Sequence, residues 1–271
     1  MDILLYIIIF IMGTVFGSFF TLAVYRIPKR QDITHTHSYC PNCNHKLGFL
    51  DLIPVFSYIF LRGKCRYCKQ KIRPRYFILE ILSGLLFLLL AFLMNITIEN
   101  LHTTLILDAM FMVLYLCFIF IMAGIDKEYR KIDKSVSAYG IIISIMYIVY
   151  LCIVENTNIY RYIIYLIFFI LILILDNITL KKYAKNSYLN GLVLTLLTMS
   201  IFTGEYIAIN TVIYTLLMLA MIILIHKIIN LSNRNKKTEK KIWNTLPVGF
   251  YMAVANILNL IAVLSCYKIL L

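Results

Sequence analysis

"ILLYIIIFIMGTVFGSFFTLAVY", residues 3–25, carries no charged side chain from end to end and is followed at once by "RIPKR" (26–30). A hydrocarbon core of about 30 Å takes roughly 20 apolar residues in a helix, and this run supplies them. Lys and Arg massed behind it mark the end that stays on the inner face. No basic stretch precedes the apolar part and no small-residue cleavage site follows it, so a retained span is expected rather than a removed signal segment.

The pattern recurs along the chain. Hydrophobic residues make up 62% of the sequence and charged residues 14%, with a mean hydropathy of +0.86, which excludes a soluble globular domain. The apolar runs predict an all-α polytopic membrane protein of about eight transmembrane helices, near 3–25, 76–95, 105–125, 136–154, 160–179, 188–203, 206–226 and 246–265. The expected organisation is a first transmembrane helix (1–25), a loop (26–75) and a helical membrane domain (76–271). The connections alternate in charge. Residues 26–75, "DKEYRKIDK" (126–134), "KKYAKNS" (181–187) and "HKIINLSNRNKKTEKKIWN" (226–244) are basic, whereas "NITIENLHTT" (95–104), "ENTNIY" (155–160) and "TGEY" (203–206) are nearly free of Lys and Arg. Positive loops stay inside, which predicts a multi-pass protein of the inner (cytoplasmic) membrane with the basic loops in the cytoplasm and both termini outside. Topology signalling and anionic lipid headgroups account for the net charge of +13, so membrane lipid is an expected partner and nucleic acid is not.

Within the first loop, "CPNCNHKLGFLDLIPVFSYIFLRGKCRYCKQ" (40–70) holds two C-x-x-C pairs, Cys40/Cys43 and Cys65/Cys68. Two such knuckles bring four thiolates to one point, and a closed tetrahedral set of four sulfurs suits a structural Zn²⁺. A reducing cytoplasm disfavours the alternative of disulfides. Pro41, Asn42, Arg66 and Tyr67 read as ordinary fillers of the knuckles, and the metal would fold a loop with too little core of its own.

The thirteen acids can be weighed one at a time. Most, Asp51 among them, sit in loops, where a solvated role is the default. Glu80, Asp108, Asp126 and Asp176 lie within or at the ends of expected spans, where an ionisable group is expensive and marks a functional candidate. Asp126 in "MAGIDKEYRKID" (122–133) and Asp176 in "LILILDNITLKK" (171–182) fall at similar depth on the inner side. Two carboxylates close together share one proton and can activate water against a peptide carbonyl. The competing reading of each is a simple interfacial charge.

With these residues in view, the chain resembles the prepilin peptidases, the type IV leader peptidase family of membrane aspartyl proteases. "GSFFTLAVYRIP" (17–28) is similar to the family's first-helix signature. "CPNC" (40–43), "DLIPVFSYIFLRGKCRYCKQKI" (51–72) and "RYFILEILSG" (75–84) resemble its metal loop and the glutamate-bearing start of its second helix. "GIDKEYRKID" (124–133) resembles the segment of its first catalytic aspartate, which maps onto Asp126. The resemblance implies cleavage of the short basic leader of prepilins or pseudopilins at the cytoplasmic face, in type IV pilus or type II secretion systems. It further implies N-methylation of the new N-terminus with S-adenosylmethionine, in which Glu80 would take part.

The chain also departs from that pattern. The family's second aspartate lies in a G-x-G-D motif, which is absent; in "KNSYLNGLVLTLL" (185–197) Asn190 falls where the aspartate belongs, and an amide cannot carry the shared proton. Thr21 stands where the family usually has asparagine. Asp176 is therefore the candidate second acid beside Asp126. The alternative is a catalytically silent or specialised paralogue that binds pilin-like substrates without cleaving them.

Overall fold

The computed structural model describes residues 2–179, 187–232 and 246–270, with side chains over 2–174, 188–228 and 246–268. The basic connections 180–186 and 233–245 lie outside the described residues. Helices α1 (Asp2–Arg26), α2 (Phe56–Phe60), α3 (Pro74–Leu93), α4 (Thr103–Tyr129), α5 (Lys134–Val154), α6 (Ile159–Thr179), α7 (Ser187–Ser232) and α8 (Val248–Leu270) follow in order. Among the described residues there is no strand, only isolated bridges in the cysteine loop.

Among the described residues six helices are long and apolar enough to cross a membrane, and one of these, over Tyr188–Ile228, corresponds to two expected spans. "TGEY", expected as a loop, is helical on both sides of a kink at Gly204 (φ 80°, ψ 165°). That left-handed φ is one glycine adopts without strain, so α7 bends instead of breaking. With α7 divided there, a helix stands at each of the expected positions, α6 contributing a shorter apolar run over Ile159–Ile174.

Helix ends follow local chemistry. Pro74 opens α3 at a position whose N–H has no helical partner. Asp133 caps α5 by accepting the Ser135 N–H at 3.1 Å. Asn95 and Asn156, which tolerate left-handed backbone, terminate α3 and α5 at φ 55° and 51°.

The chain divides into two compact units, Met1–Ala109 and Met110–Leu271. In the first, α1 packs on α3. A Cβ at Gly13 would lie 2.8 Å from the Gly84 Cα, and one at Gly17 would lie 2.9 Å from the Ser83 Cβ and 3.0 Å from the Glu80 Cα. Glycines four apart on α1 let the two backbones approach closely, the usual route to helix association in lipid. Phe16 stacks on Phe87 beside them, ring centroids 5.5 Å apart.

In the second unit the core centres on α4, where Tyr115, Leu116, Phe118, Ile119, Met122, Ile125 and Asp126 are fully buried. Asn256 on α8 accepts the Tyr115 hydroxyl (2.6 Å) and donates to Thr211 (3.1 Å) and Thr203 (3.4 Å) of α7. This satisfied polar cluster ties α4, α7 and α8 together beside the Gly204 kink.

Candidate functional site

The cysteine loop is built from two matching turns. Cys40 N–H donates to His45 and the Asn44 N–H to Cys40; in the second turn Cys65 N–H donates to Gln70 and the Lys69 N–H to Cys65. Each turn is closed by one antiparallel bridge, Tyr39 with Lys46 and Lys64 with Lys71. Each also places the residue after its second cysteine, Asn44 or Lys69, in the left-handed region. The four sulfurs come within 4.8 Å of one another, with Cys40 and Cys68 3.9 Å apart. Zn–S bonds of about 2.3 Å in a tetrahedron require sulfur separations of about 3.8 Å, so the donor set fits zinc in both chemistry and spacing. Burial pushes the Cys40 thiol up, but the N–H groups of Asn42 and Cys43 and the neighbouring thiols outweigh it and bring it down to about 7. A thiol so poised loses its proton readily to a metal.

The segment between the turns is clipped to the second one. Asp51 accepts from Arg66 Nε at 2.6 Å, from the Gly48 N–H at 3.1 Å and from the Tyr67 hydroxyl at 3.2 Å. Its side chain is only 5% exposed, so the solvated role expected for it does not hold. Arg66 and Tyr67, expected as fillers, are its anchors, and Tyr67 lies against the His45 ring of the first turn. Burial pushes the Asp51 carboxyl up, but Arg66, Gly48 and Tyr67 together hold it below its ordinary value.

Arg26, at the end of α1, is 4% exposed and donates to the carbonyls of Asp32, Thr36 and His37 at 2.9–3.1 Å. It gathers the entry of the loop onto the end of the span. Glu80, in the second turn of α3, accepts the Val55 N–H at 2.7 Å, and the Ser18 hydroxyl also reaches its carboxylate. Val55 (φ 64°, ψ −55°) with the Phe56 N–H to Pro54 carbonyl bond of 2.6 Å forms a γ-turn of the rare, strained hand. A β-branched residue persists there because the carboxylate of Glu80 holds its N–H.

In the second unit Asp126 has no exposed surface. Its Oδ1 accepts the Tyr188 hydroxyl at 2.9 Å and its Oδ2 the Phe250 N–H at 3.0 Å. The Tyr188 oxygen in turn accepts the Val248 N–H at 3.1 Å. The carboxylate thus closes the N-terminus of α8, where unpaired N–H groups and the helix dipole favour a negative charge. Gly249 permits this approach, since a Cβ there would lie 3.1 Å from Oδ2. Asn190 follows Tyr188 by two residues on α7 and so faces another way. It lines a cavity of about 310 Å³ with Ile132, Lys134, Ser137, Gly191 and Leu194, and its Oδ1 is buried without a hydrogen-bond partner. The described contacts put Tyr188, not Asn190, against Asp126. Asp176 lies near the end of α6, and its side chain falls outside the described residues.

Residues 11–94 match the family model of the bacterial Peptidase A24 N-terminal domain. This stretch resembles an A24 N-terminal domain. Relatives resembling the chain include the prepilin leader peptidase/N-methyltransferase of Klebsiella pneumoniae, 36% identical over 92 residues, which covers 32% of this chain and 40% of that protein. Those of Vibrio cholerae (39% over 85 residues; 28% and 34%) and Myxococcus xanthus (40% over 79 residues; 29% and 24%) resemble it similarly. The match spans less than half the length of these relatives. No solved structure matches the chain.

Several residues that build the first unit carry no clear signal in the sequence. Gly13 and Gly17 were legible as glycines four apart in an apolar run. Asp51 was legible as an acid within a strongly basic segment. Arg26 lies in the quoted first-helix signature, but nothing in a single sequence says that its partners are backbone carbonyls.

Proposed function

We propose that the chain is a prepilin leader peptidase. It would cut the basic leader of prepilins or pseudopilins at the cytoplasmic face of the inner membrane and serve a type IV pilus or type II secretion system. The observation that carries this reading is the match to the A24 N-terminal domain, together with the names of the relatives. Four thiolates of Cys40, Cys43, Cys65 and Cys68 would hold a structural zinc, with no open position for substrate.

Asp126 is the acid we assign to the peptidase step. One carboxylate takes the proton of the attacking water as its oxygen bonds to the scissile carbonyl carbon, and a second acid polarises that carbonyl. Collapse breaks the C–N bond and returns a proton to the leaving amine. Asp176 is the proposed second acid. Asp126 has no exposed surface, so catalysis by it requires an opening that admits water and the scissile peptide. N-methylation of the new amine is the finer half of the proposal, with S-adenosylmethionine supplying the methyl group. Glu80 is its candidate residue, and its carboxylate is already engaged by Val55 and Ser18.

One observation favours a second reading. Asp126, fully buried and held by Tyr188 and the α8 N-terminus, has the geometry of a structural cap, as in a relative that binds pilin-like proteins without cutting them. A cleavage assay separates the two. A prepilin with a basic leader is co-expressed in membranes with the wild-type chain, Asp126→Asn or Asp176→Asn, and conversion to the mature size is followed by gel. Loss in both variants is expected for a peptidase using both acids. Loss only in Asp126→Asn removes Asp176 from the mechanism. No cleavage by the wild type, beside an active control enzyme, makes the chain a silent relative.

A further inference from the structure

The segment between the two cysteine turns exposes an apolar surface that the zinc ribbon does not use. Phe49 (83% exposed) and Leu50 lie in a 3-10 turn, Phe49–Asp51, that packs beside α2. On α2 itself Phe56, Ile59 and Phe60 (79% exposed) are spaced i, i+3, i+4 and so share one face. Such a cluster of large side chains does not stay in water without an occupant.

The attachment of α2 says what that occupant is. The Val55 N–H is bonded to Glu80, and the Tyr58 ring stacks on Phe77 at 4.9 Å, so α2 lies alongside the first two turns of α3. α3 has 20 residues, about the number a helix needs to cross the hydrocarbon, so its N-terminal turns cannot stand far out of the lipid. Glu80 lies roughly 9 Å along the helix from Pro74, and its side chain leans back toward the loop. α2 is thereby pinned at the depth where headgroups meet acyl chains. The sequence on its C-terminal side matches that setting: residues 52–79 contain no acid, while Arg62, Lys64, Lys69, Lys71, Arg73 and Arg75 are basic. Apolar side chains backed by cations are the composition of a helix lying in an anionic membrane surface.

We propose that Phe49–Asp51 and α2 form an interfacial foot of the loop, with Phe49, Leu50, Phe56, Ile59 and Phe60 inserted into the headgroup–acyl boundary of the leaflet from which the loop emerges. The foot anchors the cysteine turns to the membrane surface through Val55–Glu80 and Asp51–Arg66. This inference is independent of whether the chain cleaves prepilins.

The test uses the full chain in bilayers containing anionic phospholipid. Trp243, the single tryptophan, is replaced by Phe, and Phe60→Trp or Phe49→Trp supplies the probe in separate variants. Zinc content of each variant reports that the loop is folded. The expected result is a blue-shifted emission from both probes, quenched when the lipids carry bromine on the upper acyl chain. Emission of a water-exposed indole, unquenched by brominated lipid in a zinc-loaded variant, overturns the proposal. It is equally overturned if a blue shift appears only on adding a prepilin segment, or only at high protein-to-lipid ratio, since the occupant is then a polypeptide or a second copy.

Discussion

Asp126 and Phe250 are joined across the second unit, with Oδ2 of the carboxylate accepting the Phe250 N–H at 3.0 Å in the first turn of α8. Oδ1 is held by Tyr188, so one buried group connects α4, α7 and α8. Tyr188→Phe removes the donor to Oδ1 and leaves the Val248 N–H only its 3.1 Å bond to the Leu246 carbonyl. The expected loss is about 1–3 kcal/mol, read as a lowered unfolding midpoint in nanodiscs. If the peptidase reading holds, the same variant keeps cleaving, because Phe250 still orients the carboxylate. Asp126→Ala leaves the helix end uncapped, and its stability should fall further than that of Tyr188→Phe.

Metal content is the direct check on the cysteine loop. The purified wild-type chain should carry one zinc, measured by elemental analysis, and Cys40→Ser should carry none. A chelator that strips the wild type should expose 27–73 to trypsin at its many Lys and Arg bonds. The spans should remain helical by circular dichroism, since their hydrogen bonds are internal.

Asp32 provides a pH marker in the loop entry. The backbone N–H groups of Thr34 and His35 hold its carboxyl down at about 2, below its ordinary value. A depressed folded pKa stabilises the turn above the unfolded value of about 3.9 and loses that support as pH falls through the folded one. The amide resonance of labelled Thr34 should therefore still be shifting as pH falls below about 4 toward 2. In Asp32→Asn this titration should vanish.

Gly17→Ala tests the α1–α3 contact. The new methyl meets the Ser83 Cβ and the Glu80 backbone, neither of which is a flexible side-chain end. Forcing the helices apart costs about 1–3 kcal/mol. Because Glu80 moves with α3, its bond to Val55 should loosen as well, seen as faster amide exchange at Val55.

The spans were legible because lipid imposes one simple demand, an uninterrupted apolar helix of sufficient length. The cysteine quartet was legible because knuckle spacing is itself a geometric statement. The partner of Asp126 was not. Matching motifs along the chain brought Asn190 to the expected position, whereas helix phase presents Tyr188, and phase at a helix start cannot be counted from sequence when the end is uncertain by a residue or two. "TGEY" was read as a loop because Thr, Gly and Glu are poor span residues, yet one left-handed glycine suffices to bend a continuous helix. Asp51 looked like any loop acid, since its three donors come from sites far apart along the segment or from its own turn.

The paired cysteine turns also set a length. Without a bond between them, α1 and α3 are joined by everything from residue 27 to residue 73, a tether with a wide range of end-to-end distances. Joining Cys40 to Cys68 through one metal takes the intervening chain out of that tether and leaves two short leashes, 27–39 and 69–73. Arg26 shortens the first further by drawing Thr36 and His37 back to the helix end. A zinc held there would act as a buckle on a strap, fixing how far this part of the chain can stray from the two helices that carry it.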